Sequence, residues 1–224
     1  MTIQTLSIQT EENNSTYPTF APHQFLQNAE IDYFTMRLLT PYASLLYTKI
    51  AHNAAECLEK VMKAFLIMRG QKTAPEVEKL GHNLENIRIE CIKIDDFFND
   101  PNLEDFCKNY SGDKKGNEVL RYGYIKNTKG YGINLDSIIQ LTDKFFLGTF
   151  LKIDNLNFAV STSNLASLFY PTNFQNHFLE RFTPQAISQM RILMGSNNQY
   201  LDGFIKAVEQ FCLQLENNKK APTQ

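Results

Sequence analysis

Apolar residues recur at intervals of three and four along most of the chain, and strict alternation is rare. Phe25, Leu26, Ala29, Tyr33, Met36 and Leu39 predict a helix over residues 23–39. Pro41 separates it from the next, because proline disfavours helical backbone in the residue before it and suits a first turn. The strongest periodic run predicts a helix over 42–69, stopped by Gly70. Leu46, Ile50, Ala54, Cys57, Leu58, Val61, Ala64, Phe65 and Met68 make its apolar stripe. Lys49, Glu56, Glu59, Lys60 and Lys63 fall on the other face, where solvation is expected.

Residues 71–81 are polar and read as a loop. A third helix is expected from His82 and Asn83 to about 94, with Leu84, Ile87, Cys91 and Ile94 inward and Asn83 suited to capping. Asp100-Pro101-Asn102 opens a short helix to about Tyr110. Asn134-Leu135-Asp136-Ser137 opens a long one to about Leu151, carrying Ile138, Leu141, Phe145 and Thr149. Periodicity is weak over 155–182, apart from a helical turn expected at 165–170. Pro184 after Thr183 marks another helix start. A final helix is expected over 196–215, presenting Tyr200, Phe204, Val208, Phe211 and Leu215. The pattern defines an all-α chain: an antiparallel up-and-down helical bundle with extra helices on its C-terminal side. Residues 21–152 form the bundle and 153–216 an extension packed on it. The polar ends, 1–20 and 217–224, read as disordered tails.

Composition narrows the chemistry. Hydrophobic residues make up 43% of the 224, enough for a real core. The net charge of −2 supplies no global field for a polyanion, so any such site must be a local patch. Cys57, Cys91, Cys107 and Cys212 include no Cys-x-x-Cys pair, which argues for free thiols in a reducing cytoplasm. There is no signal-like start and no apolar run of about 18 residues, so no membrane partner is expected. Asp95, Asp96 and Asp100 lie at a helix end and a turn, where adjacent residues do not share a face. Neither a metal nor a cofactor is expected.

The run from His52 to Phe65, closed by Gly70, resembles the signature helix of HEPN domains: alanine-rich, with a Glu, a Lys and a Lys-Ala step. Gly81-His82-Asn83-Leu84 and Arg121-Tyr122-Gly123 are similar to that family's next two motifs, with Gly123 where many members have proline. The resemblance covers residues 41–150. It implies a helical bundle linked to nucleotide or RNA biology, acting as a ribonuclease or as a binding or dimerisation module. The family's ribonucleases need an arginine followed, four to six residues later, by a histidine. His23, His52, His82 and His177 have no arginine so placed, and Gly195-Ser196 lacks the acids of a nucleotidyltransferase. A non-catalytic member is therefore expected, with no catalytic residue.

One stretch has binding character. Residues 108–131 carry Lys108, Lys114, Lys115, Arg121, Lys126 and Lys129 against Asp113 and Glu118, a local excess of four positive charges. Tyr110, Tyr122, Tyr124 and Tyr131 are interleaved. Cations neutralise phosphates and tyrosines stack on bases. Lys114, Lys115, Arg121, Tyr122, Tyr124, Lys126 and Lys129 are the candidate nucleotide- or RNA-binding residues. A solvated loop with its tyrosines tucked against the bundle explains the same composition. Two further alternatives stand: a protein-interaction module, homodimeric through small residues such as Ala51, Ala54 and Ala55, and a divergent ribonuclease.

Overall fold

The computed structural model describes residues 21–110, 134–153, 163–170 and 183–220, with side chains described from 24 to 213 within those spans. Among these residues the backbone is helical and no strand occurs. Helix α1 is Ala21–Leu39, and a 3-10 turn, Thr40–Tyr42, leads into α2, Ala43–Met68. Then follow α3 (Ala74–Glu78), α4 (Leu84–Ile92), a 3-10 turn (Asp96–Phe98) and α5 (Pro101–Tyr110). After these come α6 (Leu135–Leu151), α7 (Asn164–Phe169), α8 (Pro184–Gly195) and α9 (Leu201–Lys220).

The all-α class and the long helices match the periodicity. A three-residue connection folds α1 back onto α2, and this is the most extensive helix pairing among the described elements. Helix α2 also packs on α6 and α4. Its core side chains include Ile50, Ala54, Cys57, Leu58, Val61, Phe65 and Leu66. Gly70 and Gly81 adopt φ of 66° and 61°, the left-handed conformation that ends α2 and turns the chain into α4.

Several expectations are corrected. The polar loop contains α3, set by Thr73, whose N–H donates to Glu76 Oε2 at 2.7 Å. The last helix is Leu201–Lys220 rather than 196–215: Ser196 caps the helix before it, and the helix continues into the stretch 217–224 expected as a disordered tail. Helix α2 has a non-helical residue, Leu46 (φ −118°, ψ 20°), and Tyr42, Leu45 and Tyr47 around it are exposed. Ala51, Ala54 and Ala55 are buried inside the chain, so the close approach they permit is spent within the monomer. Glu59 and Lys63 are buried too, because α2 is covered on more sides than a single stripe accounts for.

Aromatic rings fill the centre. Phe65 and Phe98 lie 4.8 Å apart, Phe97 and Phe145 also 4.8 Å, and Tyr33 stacks on Phe146 at 4.4 Å. The four cysteine side chains are buried. Burial raises the thiol pKa of Cys57, Cys91 and Cys107.

Gly148 on α6 gives a sharp test of this packing. A Cβ there stands 2.5 Å from Phe97 Cζ, inside van der Waals contact. The partly exposed Phe97 ring abuts Phe98 and Phe145 and lies under Lys152 Nζ at 5.0 Å, so it must leave these contacts to admit the methyl group. Gly148→Ala is expected to destabilise the fold by about 1–3 kcal/mol, as overpacking does, despite the better helix propensity of alanine. Urea unfolding measures it.

Candidate functional site

The face shared by α1, α2 and the α3–α4 turn carries a ladder of charged groups. Lys60 Nζ lies 2.5 Å from Asp32 Oδ2 on α1 and 3.0 Å from Glu56 Oε2, one turn earlier on α2. One turn further on, Lys63 Nζ donates to Glu59 Oε1 at 2.7 Å and sits 5.8 Å from the centre of the Phe25 ring. Glu59 is also within 3.0 Å and 3.1 Å of His82 Nδ1. His82 is 62% exposed, whereas Glu59 and Lys63 are almost fully buried. His52 is half-buried and lies near enough to act on Asp32 and Glu56.

This arrangement follows from local sequence. The i, i+4 spacing stacks Glu56 with Lys60 and Glu59 with Lys63. Gly81 reverses the chain and Asn83 caps α4, its Oδ1 accepting the Asn86 N–H at 2.9 Å. His82 is held between the two and reaches back to α2. Its two contacts with Glu59 fix the orientation of the imidazole over the carboxylate. The capping role expected near His82 belongs to Asn83, and His82 instead ties the turn to Glu59.

A second cluster is deeper. The Tyr33 hydroxyl donates to Asp143 Oδ1 at 2.8 Å, and Arg37 Nη1 approaches Asp143 Oδ2 at 3.3 Å. Asn198 Nδ2 donates to the Tyr33 oxygen at 2.8 Å. Arg37 is 2% exposed and Asp143 1%. Burial pushes the Asp143 carboxyl up to about 6, against the opposing pull of Arg37 and of the Tyr33 hydrogen bond. Burial likewise raises Tyr33 and Glu30. Glu30 accepts hydrogen bonds from Ser163 Oγ at 2.6 Å and from the backbone N–H groups of Asn164 and Leu165, which seats the start of α7 on α1.

Of the sequence candidates, Lys114, Lys115, Arg121, Tyr122, Tyr124, Lys126 and Lys129 lie outside the described residues. Lys108 and Tyr110, at the near edge of that stretch, are committed: Lys108 pairs with Glu104, and Tyr110 packs on Phe106 at 4.5 Å. The carboxylates of Asp95 and Asp100 bind backbone N–H groups and pair with Lys152 at 2.8 Å and Lys144 at 2.6 Å. Among the described residues no group of three or more His, Cys, Asp or Glu is arranged to hold a metal ion. No helix among them is long and apolar enough to cross a membrane. Ser163 serves as the cap of α7.

Sequence reasoning missed Arg37, Asp143 and Asn198. More than a hundred residues separate the first two, and no local spacing links them. Comparison with protein-family models, with curated proteins and with solved structures finds no match to this chain.

The Asp143 carboxyl yields a pH test. Its folded pKa stands above the unfolded value, so the folded state holds the extra proton between about 4 and 6. Its contribution is most favourable below the unfolded value and is lost as pH rises through 6. Asp143→Asn removes that titration. The stability of the wild type relative to this variant is therefore expected to fall as pH rises from about 4 to about 7, read from urea midpoints at each pH.

Proposed function

We propose that this chain is a HEPN-like binding module without the family's ribonuclease chemistry, taking a nucleotide or RNA through residues 108–131. The observation that carries it is the concentration of cations and tyrosines there: with Lys108 paired to Glu104, the five cations Lys114, Lys115, Arg121, Lys126 and Lys129 against Asp113 and Glu118 leave an excess of three positive charges in a chain whose net charge is −2. Most of the described cations are already engaged. Lys60, Lys63, Lys72, Lys93, Lys108, Lys144 and Lys152 each stand within ion-pair distance of a carboxylate, and so do Arg37 and Arg88. A polyanion is better served by Lys114, Lys115, Arg121, Lys126 and Lys129, with Tyr122 and Tyr124 as stacking surfaces. A cytoplasmic setting, a homodimer and a partner protein belong to the same reading.

The protein is expected to bind a short single-stranded RNA in a salt-sensitive manner. Replacing Lys114, Lys115 and Arg121 together by Ala should lower affinity by about tenfold or more and flatten the logarithmic salt slope by about 2, since each lost phosphate contact removes about 0.7. Fluorescence anisotropy across a salt series reads both. Equal binding by the variant, or none by either protein, overturns the reading.

A second reading has its own support. Tyr42, Leu45 and Tyr47 are 58%, 80% and 45% exposed around the kink that begins α2. Exposed apolar side chains near one end of a helix suit a protein contact. A module working through this surface would be a self-associating or partner-binding unit. Leu45→Glu should then lower its association in sedimentation experiments while leaving the helical content unchanged.

A further inference from the structure

Helix α8 has a thin apolar footing. Of its 12 residues only Met190 and Met194 are buried, and Ile192 is 61% exposed. The next helix differs: Leu201, Phe204, Val208, Phe211 and Cys212 of α9 are all buried. Apolar burial is the main source of local stability, so α8 and α9 are unequally held.

What holds α8 is polar and gathered at its C-terminal end. Arg37 Nη2 donates to Leu193 O and Met194 O, each at 2.9 Å, and to Ser196 O. A cation on the last carbonyls of a helix is a favourable arrangement. One nitrogen with two hydrogens serves three acceptors here, however, so the bonds are shared. Asn198 Nδ2 adds a bond to Met194 O at 3.0 Å. Arg191 Nε, from α8 itself, donates to Leu168 O of α7 at 2.6 Å.

The docked arrangement carries its own costs. Arg37 Nε–H is buried without an acceptor. Arg37 and Asp143 are both held away from water, and desolvating such a pair offsets much of its attraction. The ionisable groups acting on this spot are Tyr33 and Arg37 from α1, and Asp143 acts in turn on Cys57 of α2. Water reaching Arg37 would relieve both costs. Next to α8, Asn197 takes a left-handed φ of 52°, an orientation asparagine tolerates, in the turn before α9.

We infer that α8 is a strap that lifts from the bundle as a unit, pivoting at Ser196 and Asn197, while α1, α2, α6 and α9 stay packed. Asn198 stays with Tyr33, and the lifted strap opens the Arg37–Asp143 pair to water. The device is independent of the RNA-binding reading, since it uses none of residues 108–131.

Hydrogen-exchange mass spectrometry on the full chain tests it. Amides of α8 should exchange about 100-fold faster than those of α2, at rates unaffected by low urea, because a local opening exposes little surface. Arg37 variants leave Asp143 buried without its counter-ion and risk global unfolding, so the informative variant is Arg191→Ala, which cuts the tether to α7. It should speed exchange in α8 about tenfold, the scale of one charged hydrogen bond, and leave α2 and α6 unchanged. The inference is overturned if wild-type α8 and α2 exchange at the same rate with the same urea dependence. It is equally overturned if Arg191→Ala leaves α8 unchanged or speeds α2 as much as α8.

Discussion

The fold depends on a constraint at α2: a helix covered by α1, α4 and α6 must bury charged positions as well as apolar ones. Lys63 and Glu59 meet that demand by pairing with each other, one turn apart, before either faces the interior. A buried charge without a partner costs several kcal/mol, which is enough to exclude the arrangement. The pair then sets its surroundings. Phe25 of α1 lies beside the ammonium, and His82 closes over the carboxylate from the α3–α4 turn. The α1–α2 hairpin and the turn are thus tied through the same two side chains.

The long elements were legible because burial imprints a period. Helix α6 is an example: Ile138, Phe145 and Phe146 recur at helical spacing, and Asn134 caps it, accepting the Ser137 N–H at 3.1 Å. Short elements leave no such imprint. Helix α3 spans five residues, fewer than two turns, and its signal is the Thr73–Glu76 cap rather than any apolar stripe. Lys63 was misplaced for a related reason, since periodicity assigns every charged residue to solvent and cannot see a partner one turn away that makes burial tolerable. The Arg37–Asp143 pair was invisible for another reason. Its members come from different helices, and only the assembled bundle brings them together. The candidate binding stretch is legible as composition, cations and tyrosines interleaved without a helical period.

Two kinds of polar chemistry coexist in the bundle. The pairs of Lys60, Lys144 and Lys152 link elements near the surface, where partial burial means that desolvation offsets much of each attraction. The Tyr33–Asp143–Arg37–Asn198 cluster is few in members but buried, and it joins α1, α6 and the turn between α8 and α9 at one point. Hydrogen-bonded clusters of this kind specify which elements meet more than how strongly they hold. The C-terminal helices are therefore positioned by polar geometry and retained by the apolar face of α9.

The four buried thiols have a consequence of their own. Cys57 sits on α2, Cys91 on α4, Cys107 on α5 and Cys212 on α9, so each reports on a different part of the molecule. Deep burial, with thiol pKa values raised at the first three, keeps nearly all of the reactive thiolate form away from solvent while the chain is folded. An alkylating reagent can therefore modify each site only when its own helix opens. The protein carries a native set of chemical clocks, and the order in which the cysteines become labelled records the order in which its helices come apart.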